Sequence, residues 1–384
     1  MPPKSCVKKT GRDKVVRCGP SDKKDSIFDE DCEVSPKGRC RKVKKQTEKA
    51  KTEKVKVKDV KKVEKIEGVE KGQSVKTEKV KVKDVEKVDK VEKVEKVEQT
   101  EGKIIKGGFV SWNVAGIRAC IRKGNLTDFI KQYSPDVLCL QEVKASVAQV
   151  AKDEPEGWKL LTETYPHYVW ADSTAKKGYA GVALFSKGPF LQSVIGLGES
   201  DHDKYGRIIT VEYPEFYLVT SYVPNSGSGL KNIKYRSTEW NPAFQNWILR
   251  LQGEGMGEGG KGKEVIVCGD LNVAHTKWDL KNDRPNWNKR PGYTEAECNG
   301  MNSLLESTGL IDSFRVKKWS GVDPETKGNY SFWSNFGNAR ANNSGWRIDY
   351  FLVHGKGKVF GKVSQADILS RVYGSDHCPV RLLF

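Results

Sequence analysis

The chain predicts an α/β fold with sheet packed on sheet and helices outside. Three observations carry that prediction. Eight apolar runs read as strands, several of them continuous enough to be buried on both faces. Four helical patterns fall between them. Acidic or histidine-bearing motifs sit at the ends of several runs, where a parallel or mixed sheet would gather them in one place. The strand candidates are Phe109–Val114, Asp136–Val143, Gly181–Ser186, Arg207–Val211, Phe216–Val223, Glu264–Val273, Arg347–His354 and Pro379–Phe384. The helical patterns span Leu126–Tyr133, Ala145–Lys152, Asn232–Leu251 and Glu295–Thr308. The glycine-rich stretch 253–262 (GEGMGEGGKG) reads as a flexible surface loop, because no strand-to-helix phosphate fingerprint surrounds it.

The N-terminal quarter is different. Of a formal net charge of +17, residues 1–106 hold 33 Lys and Arg against 21 Asp and Glu. Most of the basic excess therefore lies outside the foldable part. The segment KTEKVKVKDV occurs twice, from Lys51 and from Lys76. Valines at 85, 88, 91, 94 and 97 recur every third residue, so on a helix they wander around the axis instead of forming a stripe. Nothing here can bury a core, and residues 1–103 are expected to be a disordered basic tail. Residues 104–384 are expected to be the folded domain. A basic, aromatic-poor tail favours a polyanion, nucleic acid before an acidic membrane surface. The run 37–45 (KGRCRKVKK) fits nuclear targeting, with the mitochondrion as the other destination considered. Nine scattered cysteines without a C-x-x-C pair, and no long apolar run, read as an intracellular chain with reduced thiols.

The chemistry lies in short motifs. Asp270 and Asn272 follow the apolar run 265–268, a carboxylate to accept a proton and an amide to orient a water. A simple turn explains the same pair, since Asp and Asn are turn formers. Glu142 closes the run 137–141, and Mg²⁺, which keeps most of its waters, needs only one or two such carboxylates. Taken alone, it is also an ordinary solvent-facing glutamate. Asp349 lies in a run that otherwise reads as buried strand, and a buried aspartate needs a partner. His377, next to Asp376, is one, and a carboxylate can hold its ring positively charged beside a phosphate. Phe332, Trp333, Phe336 and Trp346 surround Asn338, Arg340, Asn342 and Asn343, either as core or as the wall of a nucleotide-sized slot. Hard oxygen donors without a cysteine cluster suit metal-assisted phosphodiester hydrolysis.

The runs 111–114 (SWNV), 140–144 (LQEVK), 221–227 (SYVPNSG), 268–275 (CGDLNVAH), 346–353 (WRIDYFLV) and 374–380 (GSDHCPV) resemble the exonuclease III-type apurinic/apyrimidinic endonucleases, within the DNase I-like metal-dependent phosphoesterases. The likeness covers about 105–384 in order. It implies a four-layer sandwich of two mixed sheets flanked by helices. It also implies cleavage of double-stranded DNA 5′ to an abasic site, with 3′-phosphodiesterase and weak 3′→5′ exonuclease action. By that likeness Glu142 and Asp270 hold Mg²⁺ (Mn²⁺ is the alternative), with Asp376 acting on the metal through water. Asp270 activates the attacking water and Asn272 orients it. His377, paired with Asp349, would contact the scissile phosphate together with Asn113, Tyr222 and Asn225. Phe332, Trp346 and Ile348 match the pocket for the base-less sugar, and Arg118, Lys144, Tyr179 and Arg207 match groups gripping the backbone. A monomer without membrane attachment is expected.

Two positions depart from the pattern. Ala115 stands where a carboxylate is common, which predicts weaker Mg²⁺ binding. Ser228 stands where some relatives insert an arginine into DNA, which predicts faster product release. Two other readings stay open: another phosphoesterase of the superfamily, acting on inositol phosphates or sphingomyelin, and a DNA-binding regulator on a degenerate nuclease scaffold.

Overall fold

The computed structural model describes residues 108–384 apart from Glu258. The expected disordered tail, its repeats and its four cysteines lie outside the described residues.

Among the described residues twelve strands form two six-stranded mixed sheets. The strands are β1 Phe109–Asn113, β2 Val137–Gln141, β3 His167–Ala171, β4 Val182–Ser186, β5 Gln192–Ile195 and β6 Ile208–Glu212. They continue as β7 Phe216–Tyr222, β8 Glu264–Asp270, β9 Leu310–Asp312, β10 Asp349–His354, β11 Gln365–Ile368 and β12 Val380–Leu383. The first sheet runs β11-β12-β1-β2-β4-β3 and the second β5-β6-β7-β8-β10-β9. At the centre of each lies one parallel pair, β1 with β2 and β7 with β8.

Strand alternation builds the layers. Phe109, Val137, Cys139, Val182 and Leu184 of the first sheet pack against Ile209, Val211, Leu218, Ile266, Cys268, Phe351 and Val353 of the second. The intervening residues face outward. Val110, Trp112, Leu138, Leu140, Ala183 and Phe185 meet the helices Ile117–Arg122, Asn125–Tyr133, Val147–Asp153 and Pro155–Thr164. Tyr217, Val219, Val265, Val267, Tyr350 and Leu352 meet the helices Asn241–Gly253 and Glu295–Thr308. The expected four layers are therefore present. Each fully buried aliphatic or aromatic side chain is worth about 1.5–3 kcal/mol over exposure, so these three interfaces set the fold.

All eight predicted strands occur, but the four sheet-edge strands, β3, β5, β9 and β11, were not foreseen. The helix expected over 232–251 is interrupted. A π-helical turn, Arg236–Trp240, precedes Asn241–Gly253, because Pro242 has no N–H to donate back one turn. The stretch 253–262 is not simply a surface loop. The helix runs into Gly253, and Met256 is buried in the core with its N–H donating to the Tyr217 hydroxyl. Among the described residues no helix is long and apolar enough to cross a membrane.

Candidate active site

Strand register brings the motifs together. In the second sheet Tyr222 of β7 and Asp349 of β10 both lie opposite Asp270, the last residue of β8. In the first sheet Asn113 ends β1 opposite Gln141, and Glu142 follows directly. The Asn113 amide spans the two sheets, donating to Glu142 Oε1 at 3.0 Å and to Asp270 Oδ2 at 2.9 Å. Beneath it, the Gln141 amide donates to Ser111 in its own sheet and to Thr220 in the other, both at 3.0 Å. Two hydrogen-bonded amides thus tie the sheets where the acids meet.

Asp270 and Asp349 are each 1% exposed and His377 is 4% exposed. His377 Nδ1 lies 2.8 Å from Asp349 Oδ2, and its Nε2 lies 3.9 Å from Asp270 Oδ2. Burial opposes charging the ring, but the Asp349 carboxylate and then Asp270 outweigh it and raise the His377 pKa to about 10. The ring is an imidazolium at neutral pH. Asp270 moves the other way from a normal carboxylate. Burial raises its pKa to about 7, His377 opposes the rise, and the Asp349 and Glu142 charges add to it. Ser331, which no sequence pattern singled out, donates to Asp349 Oδ2 at 2.6 Å and receives the N–H groups of Ile348 and Asp349.

Asn272 adopts φ 49°, a left-handed turn that folds its N–H onto Asp270 Oδ1 at 2.9 Å. Its side chain donates to Val223 O and accepts from Asn225 Nδ2 at 2.8 Å. Arg236, from the π-helical turn, holds this corner from behind. It donates to the carbonyls of Pro224, Leu271 and Asn272, so both loops leaving β7 and β8 hang on one guanidinium. The reading of the sequence missed Arg236, since a lone arginine in a helical pattern carries no signal. The Tyr222 phenol is buried beside Glu142 and Asp270, and burial followed by those charges keeps it protonated.

Glu142 is more open, its side chain 17% exposed, and it also sits at positive φ. Burial disfavours its charge, yet the Lys144 ammonium, 2.6 Å from Oε2, and the Asn113 amide hold its pKa below the usual range. Lys144, expected to grip DNA, is here the cation on Glu142. Arg207 stacks 4.8 Å from the Tyr222 ring and donates to the Tyr179 hydroxyl at 3.1 Å. Phe332 bridges to both Trp346 and His377, its ring 4.9 Å from the imidazole, and Ile348 lies buried beside them. Trp333 is core, whereas Phe336 is 85% exposed. Asp376 takes a hydrogen bond from Ser375 and adds to the field on His377, with no hydrogen bond to Glu142 or Asp270. Arg118 pairs with Asp153 at 2.7 Å and Asn225 stands exposed on its loop.

Ligand atoms of Asp270, Asp349 and His377 lie within 4.8 Å of one another. Yet a charged imidazole engaged by Asp349 is no metal ligand. Glu142, already drawing Lys144, and Asp270, joined to it through the Asn113 amide, form the oxygen-donor set that suits a hard divalent cation.

Buried proton-holding groups at the ends of two stacked mixed sheets, beside an open carboxylate, define a hydrolase of phosphate esters. The chain belongs to the Endonuclease/Exonuclease/phosphatase family, whose model matches residues 110–377. By that membership it is an enzyme, of a divalent-metal-dependent phosphoesterase class. It is 39% identical over 285 residues to the DNA repair nuclease APEX1 of Danio rerio, covering 73% of this chain and 83% of that protein. It is 42% identical to an exodeoxyribonuclease of Bacillus subtilis, covering 71% of this chain and 98% of that one. Among solved structures, the AP endonuclease LMAP of Leishmania major superimposes with a TM-score of 0.60 at 29% identity, over 72% of this chain and 86% of that one.

Proposed function

We propose that this enzyme cuts double-stranded DNA on the 5′ side of an abasic site, leaving a 3′-hydroxyl and a 5′-deoxyribose phosphate. It also has 3′-phosphodiesterase and weak 3′→5′ exonuclease action, and it acts as a monomer. The observation that carries the reading is the pairing of a proton acceptor with a fixed cation at one buried point. Asp270 is poised near pH 7, and His377 is held charged 3.9 Å from it. Similarity to the relatives supports DNA as the substrate.

In this reading Asp270 takes a proton from the attacking water, oriented by Asn272. The water oxygen bonds to phosphorus, the bond from phosphorus to the 3′ oxygen breaks, and that oxygen leaves with the bonding pair and takes a proton from solvent to become the hydroxyl. His377, protonated Tyr222, Asn113 and Asn225 present donors to the phosphate oxygens as negative charge shifts onto them. A divalent cation, Mg²⁺ with Mn²⁺ the alternative, would be held by Glu142 and Asp270, with Asp376 acting through water, and would offset charge on the phosphate. Phe332, Trp346 and Ile348 receive the base-less sugar, and Arg118, Lys144, Tyr179 and Arg207 hold the backbone.

A substrate panel tests this: a duplex with one tetrahydrofuran abasic analogue, the undamaged duplex, a 3′-phosphate end, and inositol phosphates. Mg²⁺-dependent nicking of the first with a 3′-hydroxyl product is expected. Preferential hydrolysis of inositol phosphates, or DNA binding without nicking, would replace the proposal. The basic run 37–45 supports nuclear residence. A fluorescent fusion of the full chain that stays out of the nucleus would refute that part.

A further inference from the structure

Beside the slot formed by Phe332, Trp346 and Ile348, a second aromatic surface points to solvent. Trp287 is 40% exposed at the end of the short helix Asp283–Asn286. Its ring packs edge-on against Tyr293, centroids 4.9 Å apart, and Tyr293 packs edge-on against Trp346 at 6.4 Å. Three aromatics therefore run in a row from the slot to the surface. The loop that presents Trp287 is tied down by hydrogen bonds. Trp287 N–H donates to Asp283 O, Asn288 N–H to Tyr293 O, and Glu295 N–H to Asn288 Oδ1. Asn288 takes the left-handed conformation that closes the turn.

An indole held in water by so many backbone bonds is not core, and its surroundings name its partner. Residues 281–290 carry Lys281, Arg284, Lys289 and Arg290 against Asp283 alone, and Asp283 is already paired with Lys327. Among the described residues Arg284, Lys289 and Arg290 form no ion pair. A partly exposed π-face on a loop that also carries uncommitted cations suits an unstacked base and its phosphates. Resting on the reading of the site as a DNA-cutting centre, we infer that Trp287 is a stacking platform for an unpaired base of the strand flanking the incision point. The enzyme would then grip duplex carrying a single-stranded flank more tightly than fully paired duplex.

The test uses the full chain in EDTA, so that binding is read without cleavage. Affinities are measured for a blunt duplex and for the same duplex with a ten-nucleotide oligo(dT) overhang. Trp287→Phe keeps a π-face, Trp287→Leu keeps only apolar bulk, and Trp287→Ala removes both. For Trp287→Leu and Trp287→Ala the overhang complex should weaken roughly ten- to a hundredfold, the range of a lost base stack. Trp287→Phe should stay within about threefold of the parent. The overhang-to-blunt affinity ratio should fall to near one only in the first two. Leu binding as well as Phe, or a ratio unchanged in Ala, would overturn the inference. Failure of the parent to nick abasic duplex would instead count against the proposed activity and leave this binding result standing.

Discussion

The two sheets contribute opposite kinds of half-site. The second sheet supplies Asp270 and Asp349, nearly sealed from solvent, with His377, Ser331, Asn272 and Arg236 fixing each atom through hydrogen bonds. The first sheet supplies Glu142, partly open, its charge met by the flexible ammonium of Lys144. One half is preorganised and low in dielectric, where charge-assisted contacts are strong and proton affinities shift by several units. The other is wet and exchangeable, suited to a cation that keeps most of its own waters. Proton handling thereby falls to the second sheet and the more open share of cation holding to Glu142 of the first, with Asp270 serving both and Asn113 as the bridge.

Substitutions can break this division or sharpen it. Asp270→Asn should lower the incision rate on the order of 10²–10⁴ while DNA affinity stays within a few-fold. A loss below tenfold in a single-turnover assay would strip Asp270 of its role. Asp349→Asn removes the charge that keeps His377 protonated up to about pH 10. The alkaline limb of the rate profile should move down by several pH units, toward about 6.5. The same pair bears on stability. A pKa raised above its unfolded value stabilises fully below about pH 6.5, and that stabilisation is lost as pH rises through about 10. The parent should therefore lose more melting temperature than Asp349→Asn across that window, and parallel curves would contradict the pairing.

Smaller effects are expected on the open side. Ala115 sits at φ 49°, a conformation aspartate tolerates better than alanine. Ala115→Asp should lower the Mg²⁺ concentration for half-maximal activity several-fold, read from metal titrations. An unchanged midpoint would mean the missing carboxylate is not needed. Ser228 is exposed at the start of a short turn, Ser228–Leu230. Ser228→Arg should slow multiple-turnover rates without slowing the first turnover, and equal slowing of both would locate the effect in chemistry.

What the sequence revealed, and what it hid, follows the same physics. The eight foreseen strands lie inside the sheets, where burial on both faces leaves continuous apolar runs. The four that escaped, β3, β5, β9 and β11, are the four sheet edges. Their residues, such as Gln192–Ile195 and Gln365–Ile368, alternate between solvent and core or are mostly exposed, so periodicity is weak over so short a span. The acids at strand ends were legible because a carboxylate after an apolar run breaks pattern. Ser331 and Arg236 break no pattern. Their importance comes from contacts with residues distant in sequence, to Asp349 and to the carbonyls of Leu271 and Asn272.

The most direct measurement of the division between the sheets is a metal titration of incision in Glu142→Gln and Asp270→Asn, each carried to saturating Mg²⁺. Glu142→Gln is expected to need far more metal but then to approach the parent rate. Asp270→Asn should stay slow at every concentration. Rescue of both, or of neither, would contradict it.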